Sequence, residues 1–188
     1  MQATLTINTD DQILALLQST ETKERGFRLL MAAYQERLYT LIRRMVHTHE
    51  DADDVLQDCL IKVYRNIDRF EGKSQLYTWL YRIATNEALS FLKKRQRRAA
   101  TSLDEEANSG IYQLRAEAPM DGDSLQRQLE RALTQLPDKQ RLVFNLRYFE
   151  EMNYKEMSIL LQTSVGALKA SYHHAVKKVE AAIKKDFL

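Results

Sequence analysis

A regular helical spacing of apolar residues is the feature that most constrains the fold of this chain. From residue 27 to residue 45 the apolar side chains recur at steps of three and four, the period of one helix face. They are Phe27, Leu30, Met31, Tyr34, Leu38, Leu41, Ile42 and Met45. Similar spacing returns several times before residue 180, whereas the whole chain holds only five glycines and two prolines. Because β-rich folds need such residues for tight turns, the sequence predicts an all-α fold.

The helical pattern falls into two groups separated by a stretch without sustained periodicity. Residues 99–123 collect Ser102, Asn108, Gly110, Pro119 and several acids, a composition typical of linkers. We therefore predict two small helical domains, joined by a flexible linker at 99–123. The first domain spans residues 1–98 and the second spans residues 124–188.

Four helices are expected in the first domain. Thr9 or Asp10 can cap a short first helix, and a second runs from about Lys23 to Val46. Residues 47–50 interrupt the pattern, so Asp51 is predicted to open the third helix. Ser74 is a candidate cap for a fourth helix that ends near Arg98.

Charge is unevenly distributed, although the formal net charge is only +2. Blocks of opposite sign favour separate surfaces for separate partners, and solvated helix faces are the alternative. The acidic block is Glu50, Asp51, Asp53, Asp54 and Asp58, and the basic block is Lys93, Lys94, Arg95, Arg97 and Arg98.

Cysteine and histidine usage argues against a thiol enzyme or a metal site. The single cysteine, Cys59, falls in an apolar helical pattern and is interpreted as a small core residue. His47, His49, Glu50 and Asp51 are close in sequence but have no second ligand pair at metal-site spacing. We expect no cofactor, no metal and no catalytic residues. No apolar run is long enough to span a membrane, so a cytoplasmic location is expected.

The end of the second domain has the spacing of a helix-turn-helix. A short helix at 154–161, a turn, and a longer helix capped by Ser164 follow one another. Small residues near the start of the last helix permit close approach to groove walls, and Lys169 can reach a phosphate or a guanine edge. A plain helical hairpin with a solvated basic face is the alternative. The candidate DNA-binding residues are Ser164, Gly166, Lys169, Ala170, His173, His174 and Lys177.

Two stretches of the first domain carry a more specific signal. They are DADDVLQDCLIKVY from Asp51, and FEGKSQLYTWLYRIATN from Phe70 to Asn86. Together they closely resemble the extracytoplasmic-function sigma factors, the small initiation factors of bacterial RNA polymerase. The resemblance covers almost the whole chain, and it implies a promoter-specificity function in which the two domains correspond to sigma regions 2 and 4.

The resemblance implies a polymerase-binding surface on the third helix. In the family this helix binds the clamp of the β′ subunit, which points here to Asp54, Gln57, Asp58 and Ile61. A mixed acidic and apolar outer face suits docking. The β flap of core RNA polymerase and, as in many relatives, an anti-sigma factor are further implied partners.

The resemblance assigns recognition and melting of the promoter −10 element to the following segment. Aromatic rings beside cations suit the melted non-template strand, because bases stack on rings while cations follow phosphates. Trp79 is interpreted as a core residue rather than a base platform. The basic block is expected to meet phosphates of double-stranded promoter DNA. The candidate residues are Phe70, Lys73, Ser74, Tyr77, Arg82, Asn86, Lys93, Lys94 and Arg95.

The last helix is assigned by resemblance to the major groove of the −35 element. The sequence departs from the common family pattern at Ser90, Ala167, Ser171 and His174, so the resemblance does not carry over the bases read. Lys169 is retained as the best specificity candidate. A conventional helix-turn-helix regulator that binds duplex DNA without polymerase is the alternative function.

Overall fold

The computed structural model describes residues 10–46, 48–105 and 124–185, and they form two helical modules without a β-strand. The first module contains α1 (Asp10–Leu17), α2 (Lys23–Arg43), α3 (His49–Asn66) and α4 (Leu76–Glu105), with a 3₁₀ turn at Ile67–Arg69. The second contains α5 (Ser124–Thr134), α6 (Asp138–Tyr148), α7 (Tyr154–Leu161) and α8 (Val165–Lys185). The all-α, two-module prediction is confirmed. None of the described helices is long and apolar enough to cross a membrane.

The first module is built around the apolar faces of α2, α3 and α4, which pack against one another. Leu38 and Ile42 of α2, Cys59 of α3, and Leu80 and Ala84 of α4 are all fully buried. Cys59 is thus a core residue, as its apolar surroundings predicted. α1 packs on α2 near Gly26, where Ile13 and Leu17 are buried.

Several predicted helix boundaries were wrong, including the end of α2, which lies at Arg43 instead of near Val46, and the start of α4, which lies two residues after the predicted cap Ser74. α3 begins at His49 instead of Asp51, because the hydroxyl of Thr48 caps it by accepting from the backbone N of Asp51 at 3.0 Å. α4 begins at Leu76 and continues to Glu105, so residues 99–105 of the predicted linker are helical. Thr9, one of the two expected caps of α1, lies outside the described residues, as do residues 106–123.

The second module contains the predicted helix-turn-helix, with α5 and α6 packed against α8. A capping box starts α7: the Asn153 side chain accepts from the backbone N of Lys155 and Glu156, and Glu156 accepts from Asn153. α7 ends at Leu161, and the capping residue Gln162 that follows has a left-handed φ of 51°, which turns the chain sharply. Ser164 then caps α8 as predicted, since its Oγ accepts from the backbone N of Ala167 at 3.3 Å.

The two modules are in contact. α6 and α7 pack against α4, and one buried cluster contains residues of both modules. Leu142, Leu146 and Met157 of the second module belong to that cluster, together with Leu41 and Leu80 of the first.

Candidate functional site

The outer face of α3 carries the predicted polymerase-binding residues together. Asp54, Gln57, Asp58 and Ile61 are all exposed, because the buried stripe of Val55, Cys59 and Val63 turns the opposite face inward. Ile61 is 41% exposed, so this large apolar side chain leaves much of its surface in water. The face therefore combines carboxylates, an amide and an exposed apolar group within three helical turns.

An apolar groove of about 630 Å³ adjoins this face, between α2 and α3. Gln57 and Ile61 line it from α3, while Phe27 and Met31 line it from α2. Tyr64 completes the wall: its ring lies edge-on to Phe27 at 5.0 Å between centroids. Sequence reasoning missed Tyr64 and assigned Phe27 and Met31 to the α2 apolar stripe alone. The available signal was the pair Ile61 and Tyr64, three residues apart and off the buried stripe of α3.

The loop before α4 holds the first of the predicted −10 residues. The Phe70 ring packs against the half-buried Trp79 ring at 5.6 Å, and Ser74 is half-buried. Gly72 has a φ of +68°, a conformation that glycine adopts without steric cost. Lys73 is exposed and ion-paired with Glu71. Phe70 and Trp79 therefore support the loop from its inner side.

The structure places the remaining residues predicted to bind the −10 element in three settings, namely in solvent, against the second module, and against α3. Asn86, Lys93 and Lys94 are exposed along α4. The Arg82 guanidinium donates to the backbone O of Ile159 in α7 at 2.9 Å. Tyr77 is half-buried, and burial raises its pKa. Arg95 is ion-paired with Asp51 of α3 at 2.7 Å, which fixes it beside the acidic block.

The outer face of α8 carries the predicted −35 residues. Leu168, Ala175 and Val179 are buried against α5, α6 and α7, which leaves the opposite face to solvent. The Lys169 ammonium lies 5.8 Å from the centre of the Tyr154 ring, a cation–π distance. The exposed residues on this face and at its cap are Ser164, Gly166, Lys169, Ala170, His173, His174 and Lys177.

A contact that sequence reasoning missed joins the modules through the α6–α7 loop (residues 149–153). The Glu150 carboxylate accepts from Arg44 at 3.2 Å and from the Tyr81 hydroxyl at 2.6 Å. The same arginine lies 4.0 Å from the centre of the Phe149 ring, and burial lowers its pKa while the Glu150 carboxylate opposes that effect. Tyr81 is 1% exposed, and burial, reinforced by the bond to Glu150, raises its pKa.

Within the described residues, no three His, Cys, Asp or Glu side chains come together as metal ligands. His47 lies outside the described residues. The His49 ring is instead within hydrogen-bonding distance of the Tyr39 hydroxyl, at 2.7 Å.

Two protein-family models match the chain, one in each module. The model described as Sigma-70 region 2 matches residues 30–98. The model described as Sigma-70, region 4 matches residues 126–179.

Similar proteins match over nearly the full chain. The RNA polymerase sigma-H factor of Pseudomonas aeruginosa is 34% identical over 95% of this chain and 96% of its own length. The ECF RNA polymerase sigma-E factor of Haemophilus influenzae is 31% identical, covering 93% and 95% of the two chains. Among solved structures, the sigma factor RpoE from Bartonella quintana, in complex with the anti-sigma factor NepR, aligns with a TM-score of 0.70. It is 22% identical and covers 85% of this chain and 98% of its own, which indicates a shared fold.

Proposed function

Because this chain belongs to the extracytoplasmic-function sigma factors of the sigma-70 family, and so is a promoter-specificity factor, we propose a separate task for each of its exposed surfaces. Core RNA polymerase and promoter DNA are its partners. Residues 1–98 are proposed as the region 2-like domain and residues 124–188 as the region 4-like domain, which bind the −10 and −35 elements.

The α3 face is proposed to bind the clamp of the β′ subunit. The single observation that carries this proposal is that Asp54, Gln57 and Asp58 lie on the same face of α3 as the exposed Ile61, beside the apolar groove. Exposed apolar groups rimmed by polar ones mark interaction sites, and the acids add complementarity to a basic partner. Docking would cover Ile61 and Tyr64 together, which removes both from water.

DNA binding is proposed for two further surfaces. The exposed Asn86, Lys93 and Lys94 of α4 suit a melted strand and the duplex beside it. The outer face of α8, with Lys169 near its start, suits the major groove, where the first residues of a recognition helix contact base edges.

The nucleotide chemistry is proposed to belong to the polymerase, with no catalytic residue in this chain. The related proteins are named as sigma factors, which supports that division. A cytoplasmic location is proposed, because core RNA polymerase acts there on the chromosome. The related Bartonella structure contains an anti-sigma factor, and such a partner is part of the proposal for this chain.

Size-exclusion chromatography with purified core RNA polymerase tests the clamp surface. We expect the unmodified chain to co-elute with core polymerase and the Asp54→Ala, Gln57→Ala double variant to elute separately. The matched control is the Asp11→Ala, Gln18→Ala double variant, which removes the same two residue types from exposed positions in and just after α1. Loss of co-elution in both variants, or in neither, would refute the assignment to α3. Binding of duplex DNA by a chain that does not bind polymerase would favour the conventional regulator instead.

A further inference from the structure

We propose that Tyr154, the first residue of α7, is a positioning residue for the contact that Lys169 makes with the −35 element. Its ring holds the ammonium group of Lys169 and so restricts the lysine side chain before DNA binds. This inference rests on the proposed binding of α8 to the major groove. It adds to that proposal a residue that lies on a different helix.

The Tyr154 ring contacts a cationic side chain from each of the two neighbouring helices. The guanidinium carbon of Arg147, in α6, lies 5.3 Å from the ring centre, and Nζ of Lys169, in α8, lies 5.8 Å from it. Both distances fall within the limit of about 6 Å at which a cation is attracted to an aromatic ring. One ring therefore connects α6 and α7 to the second turn of α8.

The ring is held in place more firmly than the lysine. Tyr154 directly follows Asn153, whose side chain caps α7, and Glu156 completes the capping box. Arg147 is also fixed, since its guanidinium donates to a backbone oxygen of the α6–α7 loop at 3.2 Å. Tyr154 is half-buried, whereas Lys169 is exposed. The ring is thus the less mobile partner and restricts the more mobile one.

The contact restricts Lys169 without taking up its hydrogen-bond donors. Among the described residues no carboxylate forms an ion pair with Lys169, whereas Arg95 of α4 is paired with Asp51 at 2.7 Å. An ammonium group held by a ring keeps its three N–H groups for a phosphate or a guanine edge. Because lysine has a flexible four-carbon side chain, its restriction in the free protein lowers the entropy cost of binding DNA.

Promoter binding by a holoenzyme, reconstituted from core RNA polymerase and the full chain, tests the proposal. The probe is a duplex that the unmodified holoenzyme selects from promoters with a randomised −35 element. Tyr154→Leu removes the ring and should weaken binding about three- to fivefold, the factor expected for a cation–π contact at an exposed site. Tyr154→Phe keeps the ring and should bind within about 1.5-fold of the unmodified chain.

A double-mutant cycle with Lys169→Met separates positioning from a general effect on the fold. Lys169→Met removes the ammonium group, so Tyr154→Leu should cause no further loss of affinity in that background. The salt dependence of binding gives a second readout. Lys169→Met should reduce it, whereas Tyr154→Leu should leave it unchanged because the charge remains in the protein. Tyr154→Gln, a second variant without a ring, should reproduce the results of Tyr154→Leu.

The matched control is Tyr148→Leu, which makes the same substitution at an exposed tyrosine of α6. The Tyr148 ring stacks on Phe144 at 5.2 Å, and no cation of the described residues lies over it. We expect its promoter affinity to stay within about 1.5-fold of the unmodified chain, as for most surface substitutions. Urea unfolding of each free protein identifies any variant whose fold is weakened.

Four outcomes would overturn the proposal. They are an unchanged or increased affinity for Tyr154→Leu, an equal loss for Tyr154→Phe, an equal loss for Tyr148→Leu, and an undiminished effect of Tyr154→Leu in the Lys169→Met background. Holoenzyme formation is measured separately by size-exclusion chromatography. Failure of the unmodified chain to form a holoenzyme would reject the proposed function, whereas the promoter affinities of the variants judge this inference alone.

Discussion

Replacing Ile61 by serine should weaken polymerase binding without weakening the fold. Ile61 is 41% exposed on α3, so the folded chain already leaves much of its side chain in water. Full burial of an isoleucine side chain contributes about 1.5–3 kcal/mol. Burying only the exposed fraction on docking contributes about 0.6–1.2 kcal/mol, which corresponds to a three- to eightfold increase in Kd for the variant.

The assay is a titration of labelled core polymerase with each protein, accompanied by urea unfolding. The free energy of unfolding should change by less than about 0.5 kcal/mol, as for most surface substitutions. Ile159→Ser is the control, because Ile159 is 55% exposed but lies on α7, away from the α2–α3 groove. An unchanged Kd for Ile61→Ser, or an equal loss for Ile159→Ser, would refute the reasoning about the α3 face.

Two further predictions concern the core of the first module. Gly26→Ala should lower the free energy of unfolding, measured in urea, by about 1–2 kcal/mol. A Cβ at this position would lie 2.9 Å from Cγ of Leu17 and 3.0 Å from its backbone N, and the cost of such overpacking exceeds the helix-propensity gain of alanine. A variant more stable than the unmodified chain would contradict this prediction. Burial raises the pKa of the Cys59 thiol from its ordinary value of 9.0 to about 12, so an aromatic disulfide reagent at pH 8 should label Cys59 only after unfolding. Because the thiol of the unfolded chain loses its proton at a lower pH, the contribution of the buried thiol to stability is complete below pH 9 and should decline as the pH rises toward 12. Rapid labelling of Cys59 in the folded chain would refute the burial argument.

The apolar periodicity predicted most of the fold, because burial of one helix face is decided by local spacing. Leu38, Cys59 and Leu80 are buried where their steps of three and four required. The start of α3 was also encoded: Thr48 precedes Asp51 by three residues, the spacing of a side-chain cap. That signal was overlooked in favour of the break in apolar spacing at 47–50.

The extension of α4 was missed for a different reason. Ala99, Ala100 and Glu105 are strong helix formers, but the loop residues after 107 dominated the composition of the whole segment. Composition averaged over 25 positions does not locate the end of a helix.

The contact between the two modules could not be predicted from the sequence. Arg44 and Glu150 are 106 positions apart, and each has the local pattern of an ordinary surface charge. Nothing in the spacing around either residue identifies its partner. The same holds for Tyr77 and Arg82, which were predicted as DNA-binding residues, but whose coverage by α7 depends on tertiary packing.

The uninterrupted length of α4 limits the promoters that this chain can use. Its 30 residues form a rod about 45 Å long, at about 1.5 Å per residue, which continues beyond the exposed lysines. Only the 18 residues from 106 to 123 separate the end of this rod from α5, and such a segment spans at most about 65 Å when fully extended. That contour length, added to the fixed dimensions of the two modules, sets an upper limit on the distance between the two proposed DNA-binding surfaces. A promoter whose two elements are moved apart by additional base pairs would therefore lose recognition abruptly once the connection is taut, rather than in proportion to each added pair.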